Sequence, residues 1–307
     1  MAAPTERLGR MATHPPLLLS LLTAMRPRQW VKNLVVFAAL IFSLRLTDST
    51  ALGRACLAFV LFCATSGAVY IVNDLFDAER DRRHPTKSRR PIASGALGFV
   101  PALVAVAALL SVALGAGFVL SPPFGAVLLV YAALNLAYST WLKEVVILDV
   151  MALATGFVIR AVAGGVVIDV PISPWLVICT FLLALFMGFA KRRHEVILLD
   201  ASAADHRRSL RDYSPYFLDQ MIAVVTASTV LAYATYTISP EVREKLGTEY
   251  LYLTIPFVLF GIFRYLYLVH QKEEGGNPTQ LMLTDVPLII DVFLWGLTAA
   301  FLLYWGR

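Results

Sequence analysis

The 307-residue chain is 58% hydrophobic and only 15% charged, with a mean hydropathy of +0.70, whereas soluble domains carry about a quarter charged residues. That balance excludes an ordinary soluble domain and makes the bilayer the solvent. The net charge of +5 sits in loops between apolar stretches, where it reads as a topology signal and excludes nucleic acid as a partner. The three cysteines, Cys56, Cys63 and Cys179, fall inside apolar runs with neither disulfide nor zinc spacing.

The chain opens with Arg7 and Arg10 before the apolar stretch Pro15 to Ala24, which mimics a secretory signal. The run is short, begins Pro15-Pro16 and leads directly into Arg26-Pro-Arg-Gln-Trp-Val-Lys32, so residues 1–30 are expected to lie uncleaved at the interface. A single transmembrane domain is expected over 31–307. Its spans are predicted at about 31–47, 53–73, 96–120, 123–141, 145–167, 174–190, 217–238, 249–270 and 281–304. No ten-residue alternation marks barrel strands, so these are helices and the fold class is all-α. The side holding the N-terminus and the 74–95 and 191–216 loops collects 19 of the 26 Lys and Arg. The other side collects five (Arg45, Arg54, Arg243, Lys245 and Arg307), and Arg160 and Arg264 fall inside spans. The imbalance predicts a multi-pass cell-membrane protein with the N-terminus and both long loops in the cytoplasm.

The first long loop begins Val72-Asn-Asp-Leu-Phe-Asp-Ala-Glu-Arg-Asp81, which places Asn73, Asp74, Asp77 and Asp81 on one face of a helix leaving the membrane. Clustered carboxylates repel unless a cation lies between them, and hard oxygen ligands select Mg²⁺, which binds substrate phosphates at the same time. A solvated acidic helix end balanced by Arg80, Arg82 and Arg83 is the other reading. Lys87 and Arg90, and to a lesser extent Arg89, follow in the same loop and suit the outer oxygens of a polyanionic substrate. After the sixth span, Lys191-Arg-Arg-His-Glu195 reads either as headgroup anchors or as cationic contacts facing the Asp cluster, with Glu195 adding a metal or hydroxyl contact. Arg160 lies near mid-span, where an arginine faces a polar interior, close to Gly164 and Gly165, which admit a near neighbour. Tyr70, Tyr138 and Trp141 occupy positions of an aromatic belt.

These residues resemble the UbiA superfamily of intramembrane prenyltransferases, whose first motif, N-D-x-x-D-x-x-x-D, is met by Asn73, Asp74, Asp77 and Asp81. The usual second motif, D-x-x-x-D, is replaced here by Lys191 to Glu195. Arg26 to Asn33, Val69 to Asp74, His84-Pro-Thr-Lys87, Arg90-Pro-Ile-Ala93 and Ile159 to Gly165 together resemble the phosphoribosyltransferase branch acting on decaprenyl phosphate, over about residues 24–215. The resemblance implies about nine helices around a central cavity, a Mg²⁺ cofactor, and transfer of 5-phosphoribose from phosphoribosyl diphosphate (PRPP) to a polyprenyl phosphate. Diphosphate leaves, and the product feeds cell-wall arabinan.

Carried onto this chain, the resemblance makes Asp74, Asp77 and Asp81 catalytic and, with Asn73, the metal and diphosphate ligands. It gives Lys87, Arg90, Lys191, Arg192 and Glu195 to substrate binding on the donor side. Arg26, Gln29, Lys32 and Arg160 become candidates for acceptor-phosphate or donor contacts, and Tyr138 joins the substrate-binding set. Expected partners are PRPP, the lipid phosphate and the bilayer, with a homo-oligomer compatible with the sequence. Two other readings stand beside this one: prenyl transfer to an aromatic acceptor, and a cation-binding transporter.

Overall fold

The computed structural model describes residues 16–83, 86–199 and 208–305. Arg7, Arg10, His84, Pro85, Arg207 and Arg307, which the sequence reading uses, lie outside the described residues. The helices are α1 (Leu17–Ala24), α2 (Ala38–Phe42), α3 (Ser49–Arg83), α4 (Phe99–Leu120), α5 (Pro122–Thr140) and α6 (Leu148–Val167). They continue with α7 (Pro174–Leu199), α8 (Pro215–Ile238), α9 (Pro240–Leu246), α10 (Ile255–Gln271), α11 (Pro278–Thr284) and α12 (Val286–Tyr304). No strand occurs among the described residues. Five of these helices begin on proline, whose missing N–H costs nothing in a first turn. Ser214 and Asp285 cap α8 and α12 by accepting the Phe217 and Leu288 N–H groups at 3.1 and 3.0 Å.

Eight helices among the described residues, α3 to α8, α10 and α12, are long and apolar enough to cross a membrane. The traverse expected at 31–47 is instead made by a 3₁₀ segment, Pro27–Phe37, followed by the five-residue α2. Arg26 at its start pairs with Asp74 late in α3, while Arg45 at its end donates to the Ile168 carbonyl at 3.0 Å, past the far end of α6. The polar pair Lys32-Asn33 explains the break, because Asn33 is buried and turned inward rather than toward lipid. Asn33 Nδ2 donates to Cys63 Sγ and Ser66 Oγ at 3.3 and 3.2 Å, and its Oδ1 accepts from Arg160 Nε at 2.7 Å.

Gly164 makes this packing possible: a Cβ there would lie 1.9 Å from the Val36 carbonyl oxygen, so the 3₁₀ backbone rests directly on α6. One apolar core joins α3, α5 and α6 to this segment through Leu40, Phe62, Phe124 and Leu128. A second joins α6, α7, α8, α10 and α12 through Phe186, Leu218, Ile222, Tyr265 and Leu288. Outward positions such as Val119, Leu231 and Phe293 remain exposed and apolar, as a bilayer solvent requires. At 35 residues α3 is about 52 Å long, against roughly 30 Å of hydrocarbon, so its final turns project the Asp-rich face beyond the membrane core.

Candidate active site

The projecting end of α3 carries Asn73, Asp74, Asp77 and Asp81 at helical spacing, and each carboxylate is met by a cation from elsewhere in the chain. Asp74 and Asp81 are buried and share one guanidinium nitrogen, Arg90 Nη1, at 3.1 and 2.6 Å. Asp74 also pairs with Arg26, whose guanidinium lies 5.2 Å from the centre of the Tyr70 ring. Asp77 faces the other way, accepting from Lys143 Nζ at 2.6 Å and from Asn73 Nδ2 at 3.1 Å, while Asn73 Oδ1 accepts from Ser139 Oγ at 3.3 Å. The 3₁₀ turn Lys87–Arg89 leads into Arg90, leaving Lys87 half-buried and Arg89 exposed.

The basic segment after the sixth predicted span forms the end of α7. Arg192 is fully buried and its three guanidinium nitrogens are all engaged: Nε with Asp149 Oδ2 at 2.6 Å, Nη1 with Glu195, and Nη2 with the Tyr138 hydroxyl at 3.3 Å. Lys191 reaches Glu195 at 3.6 Å. Arg193 leaves α7 in a different direction, meeting Asp219 on α8 at 2.5 Å. A lateral groove of about 600 Å³ between α8 and α10 ends at Asp219 and His270, and its lining includes none of the cations paired with the α3 carboxylates.

Inward along the bundle, the 3₁₀ segment brings Lys32 toward Lys191, Arg160 and Arg26. Lys32 has no ion pair or hydrogen bond among the described residues. Arg160 is buried and engaged with Asn33, the Gly156 carbonyl and the Tyr131 hydroxyl, and it stacks 4.7 Å from the Tyr131 ring centre. No carboxylate pairs with it among the described residues, so its charge remains available to the site's field. Gln29 accepts from Thr279 of α11 at 3.4 Å.

No three His, Cys, Asp or Glu side chains converge as a ready-made metal set among the described residues. The donor set nevertheless fits Mg²⁺, which binds through one or two carboxylates and takes its remaining ligands from water and substrate phosphate. Asp74 Oδ2 is buried and has no hydrogen-bond partner, an open anionic acceptor of the kind a hard cation takes. Of the expected residues, Asp74, Asp81, Arg26 and Arg90 converge, while Asn73 and Asp77 lie one turn along the same helix against Ser139 and Lys143. Lys32 and Lys191 stand close by, while Arg160, Arg192 and Gln29 spend their polar groups on protein partners.

Three participants escape sequence reasoning. Lys143 enters there only as one of the 19 Lys and Arg that set the orientation, and its partner Asp77 is 66 residues distant. Asp149, fully buried in the first turn of α6, looks like a helix-end acid but holds Arg192 and Tyr213. Tyr213 donates to Asp149 Oδ1 at 2.7 Å. Its burial, and then the carboxylate beside it, push the phenol pKa far up and keep the proton on oxygen. A lysine confined to the shortest connection on the charged side is the one signal that was available.

A profile of the UbiA prenyltransferase family matches residues 34–304. The chain is 35% identical over 297 residues to the decaprenyl-phosphate phosphoribosyltransferase of Mycolicibacterium smegmatis, covering 92% of each. It is 33% identical over 285 residues to that of Corynebacterium glutamicum, covering 90% of this chain and 84% of that one. Its fold matches a UbiA homologue from Archaeoglobus fulgidus bound to DMAPP and Mg²⁺ with a TM-score of 0.71, at 19% identity, over 92% of this chain and 98% of the other.

Proposed function

The chain belongs to the UbiA prenyltransferase family, as a membrane-embedded enzyme, and we propose that it transfers 5-phosphoribose from PRPP to a polyprenyl phosphate and releases diphosphate at the cytoplasmic face. The supporting observation is the charge balance of the site. Arg26, Arg90 and Lys143 already match the three carboxylates of α3, and Lys32 and Arg160 remain without a carboxylate partner among the described residues. An enzyme joining two phosphate-bearing substrates needs such a surplus, since a diphosphate, a 5-phosphate and a lipid phosphate repel one another. The basic Lys191 to Glu195 segment, in place of a second acidic motif, supports the same reading.

In this mechanism Asp74, Asp77 and Asp81, with Asn73, hold Mg²⁺, which supplies charge neutralisation to the departing diphosphate. Arg26, Arg90 and Lys143, held against those carboxylates, turn their remaining donors to diphosphate oxygens, and Lys87 joins them. Lys32 and Lys191 take phosphate oxygens of the second substrate. The bond from ribose C1 to the diphosphate oxygen breaks with its electron pair leaving on diphosphate, and a bond from C1 to an acceptor phosphate oxygen forms. The acceptor is already ionised near neutral pH, so no general base is needed. Arg192 orients Glu195, Asp149 and Tyr138 rather than spending its donors on substrate. The ribosylated lipid so formed would feed cell-wall arabinan assembly.

Purified protein offered PRPP with polyprenyl phosphate, and separately a prenyl diphosphate with 4-hydroxybenzoate, tests the reading. Ribosylated lipid from the first pair is the expected result, and prenylated acceptor without ribosylation contradicts it.

A further inference from the structure

The 3₁₀ turn Arg208–Arg211 and the tyrosine just beyond it grip the segment 143–149, which carries Lys143 and the Arg192 partner Asp149. Ser209 is fully buried and donates from Oγ to the Lys143 carbonyl at 2.9 Å. Tyr213, also buried, accepts the Ile147 N–H at 2.7 Å and donates to Asp149 Oδ1 at 2.7 Å. The other Asp149 oxygen accepts from Arg192 Nε at 2.6 Å, so one phenol hydroxyl is two hydrogen bonds from the buried guanidinium. Between the two grips lies Ile147, at φ 70° and ψ −48°, the centre of a γ-turn closed by the Leu148 N–H on the Val146 carbonyl at 2.8 Å, a strained positive-φ backbone that a β-branched residue adopts only when its surroundings enforce it. Lys143, four residues earlier, reaches Asp77 at 2.6 Å.

From this geometry we propose that Tyr213, assisted by Ser209, is a positioning residue: it holds the strained 143–149 turn so that Lys143 faces Asp77 and Arg192 stays locked. The proposal rests on the reading of the α3 face as a diphosphate site. The ring of Tyr213 packs in the apolar core and stacks on Phe217 at 6.1 Å between centres, which phenylalanine would preserve. The hydroxyl alone makes the two contacts that matter. Glycine at 147 would adopt the same backbone without being held there.

Two readouts on the full-length detergent-purified protein test this: turnover with PRPP and polyprenyl phosphate, and affinity for inorganic diphosphate with Mg²⁺ by calorimetry. Tyr213→Phe is expected to lower kcat/KM at least tenfold and to weaken diphosphate binding about fivefold while the protein stays monodisperse. Adding Ile147→Gly is expected to restore most of both losses. Ser209→Ala, a smaller change, is expected to give a weaker defect of the same kind, and it carries the test if Tyr213→Phe does not purify. Wild-type turnover and affinity in Tyr213→Phe, or a loss that Ile147→Gly leaves untouched, overturns the proposal. If the unaltered protein transfers no phosphoribose but the variants still move diphosphate affinity, the function reading fails and the positioning role stands.

Discussion

Asp74 concentrates the chemistry of the site, because it is buried, shares Arg90 with Asp81, and keeps one oxygen without a partner. Asp74→Ala is expected to lower kcat about 10²–10³-fold, the scale for removing one preorganised charge contact. The variant should extract and chromatograph as wild type, and loss of turnover with loss of fold would contradict the assignment. Lys32, near Lys191, Arg160 and Arg26, is the cation expected to meet a substrate phosphate, so Lys32→Met should raise the KM of that substrate more than Lys32→Arg does, as steady-state kinetics would show. The spacing of Asn73, Asp74, Asp77 and Asp81 was legible because it is local. The identity of their cations was not, since Arg26 and Lys143 lie 48 and 66 residues from the acids they meet.

The elements that mattered most were legible where hydrophobicity decided them and obscure where polar side chains turned inward. Seven predicted spans, from 96–120 onward and 53–73 before them, correspond to α3 through α8 and α10, and 281–304 corresponds to α12, because each is a long apolar run bounded by proline or charge. The stretch at 31–47 has the same average character, but Asn33 is drawn into hydrogen bonds with Cys63, Ser66 and Arg160, and the backbone tightens into a 3₁₀ segment. Gly164 lets that segment approach α6. Gly164→Ala should displace the Val36 carbonyl, destabilise the protein by about 1–3 kcal/mol and reduce turnover by moving Lys32. Thermal unfolding in detergent and the assay with PRPP check it, and an unchanged melting temperature would mean that the close contact yields without cost. Arg160→Met should have a larger effect than Arg160→Lys on both readouts, since only the latter keeps a donor near Asn33 and Tyr131.

At the scale of the whole molecule, the helical bundle brings the end of α3, the turn before α6 and the end of α7 to one face, where acids and bases distant in sequence assemble. The proposal that this face is cytoplasmic predicts that, in a background lacking the native cysteines, Glu79→Cys reacts with an impermeant thiol reagent only after permeabilisation, whereas Lys245→Cys reacts in intact cells. The fold alone does not choose between moving a prenyl group and moving a sugar phosphate, because both need a metal and a diphosphate leaving group. The fate of individual phosphorus atoms does choose. PRPP labelled with ³²P in its 5-phosphate, incubated with the purified protein, polyprenyl phosphate and Mg²⁺, should pass its label to the lipid, while label in the β-phosphate should appear in free diphosphate. Lipid that stays unlabelled from the 5-phosphate, beside active prenylation of an aromatic acceptor, would contradict the account.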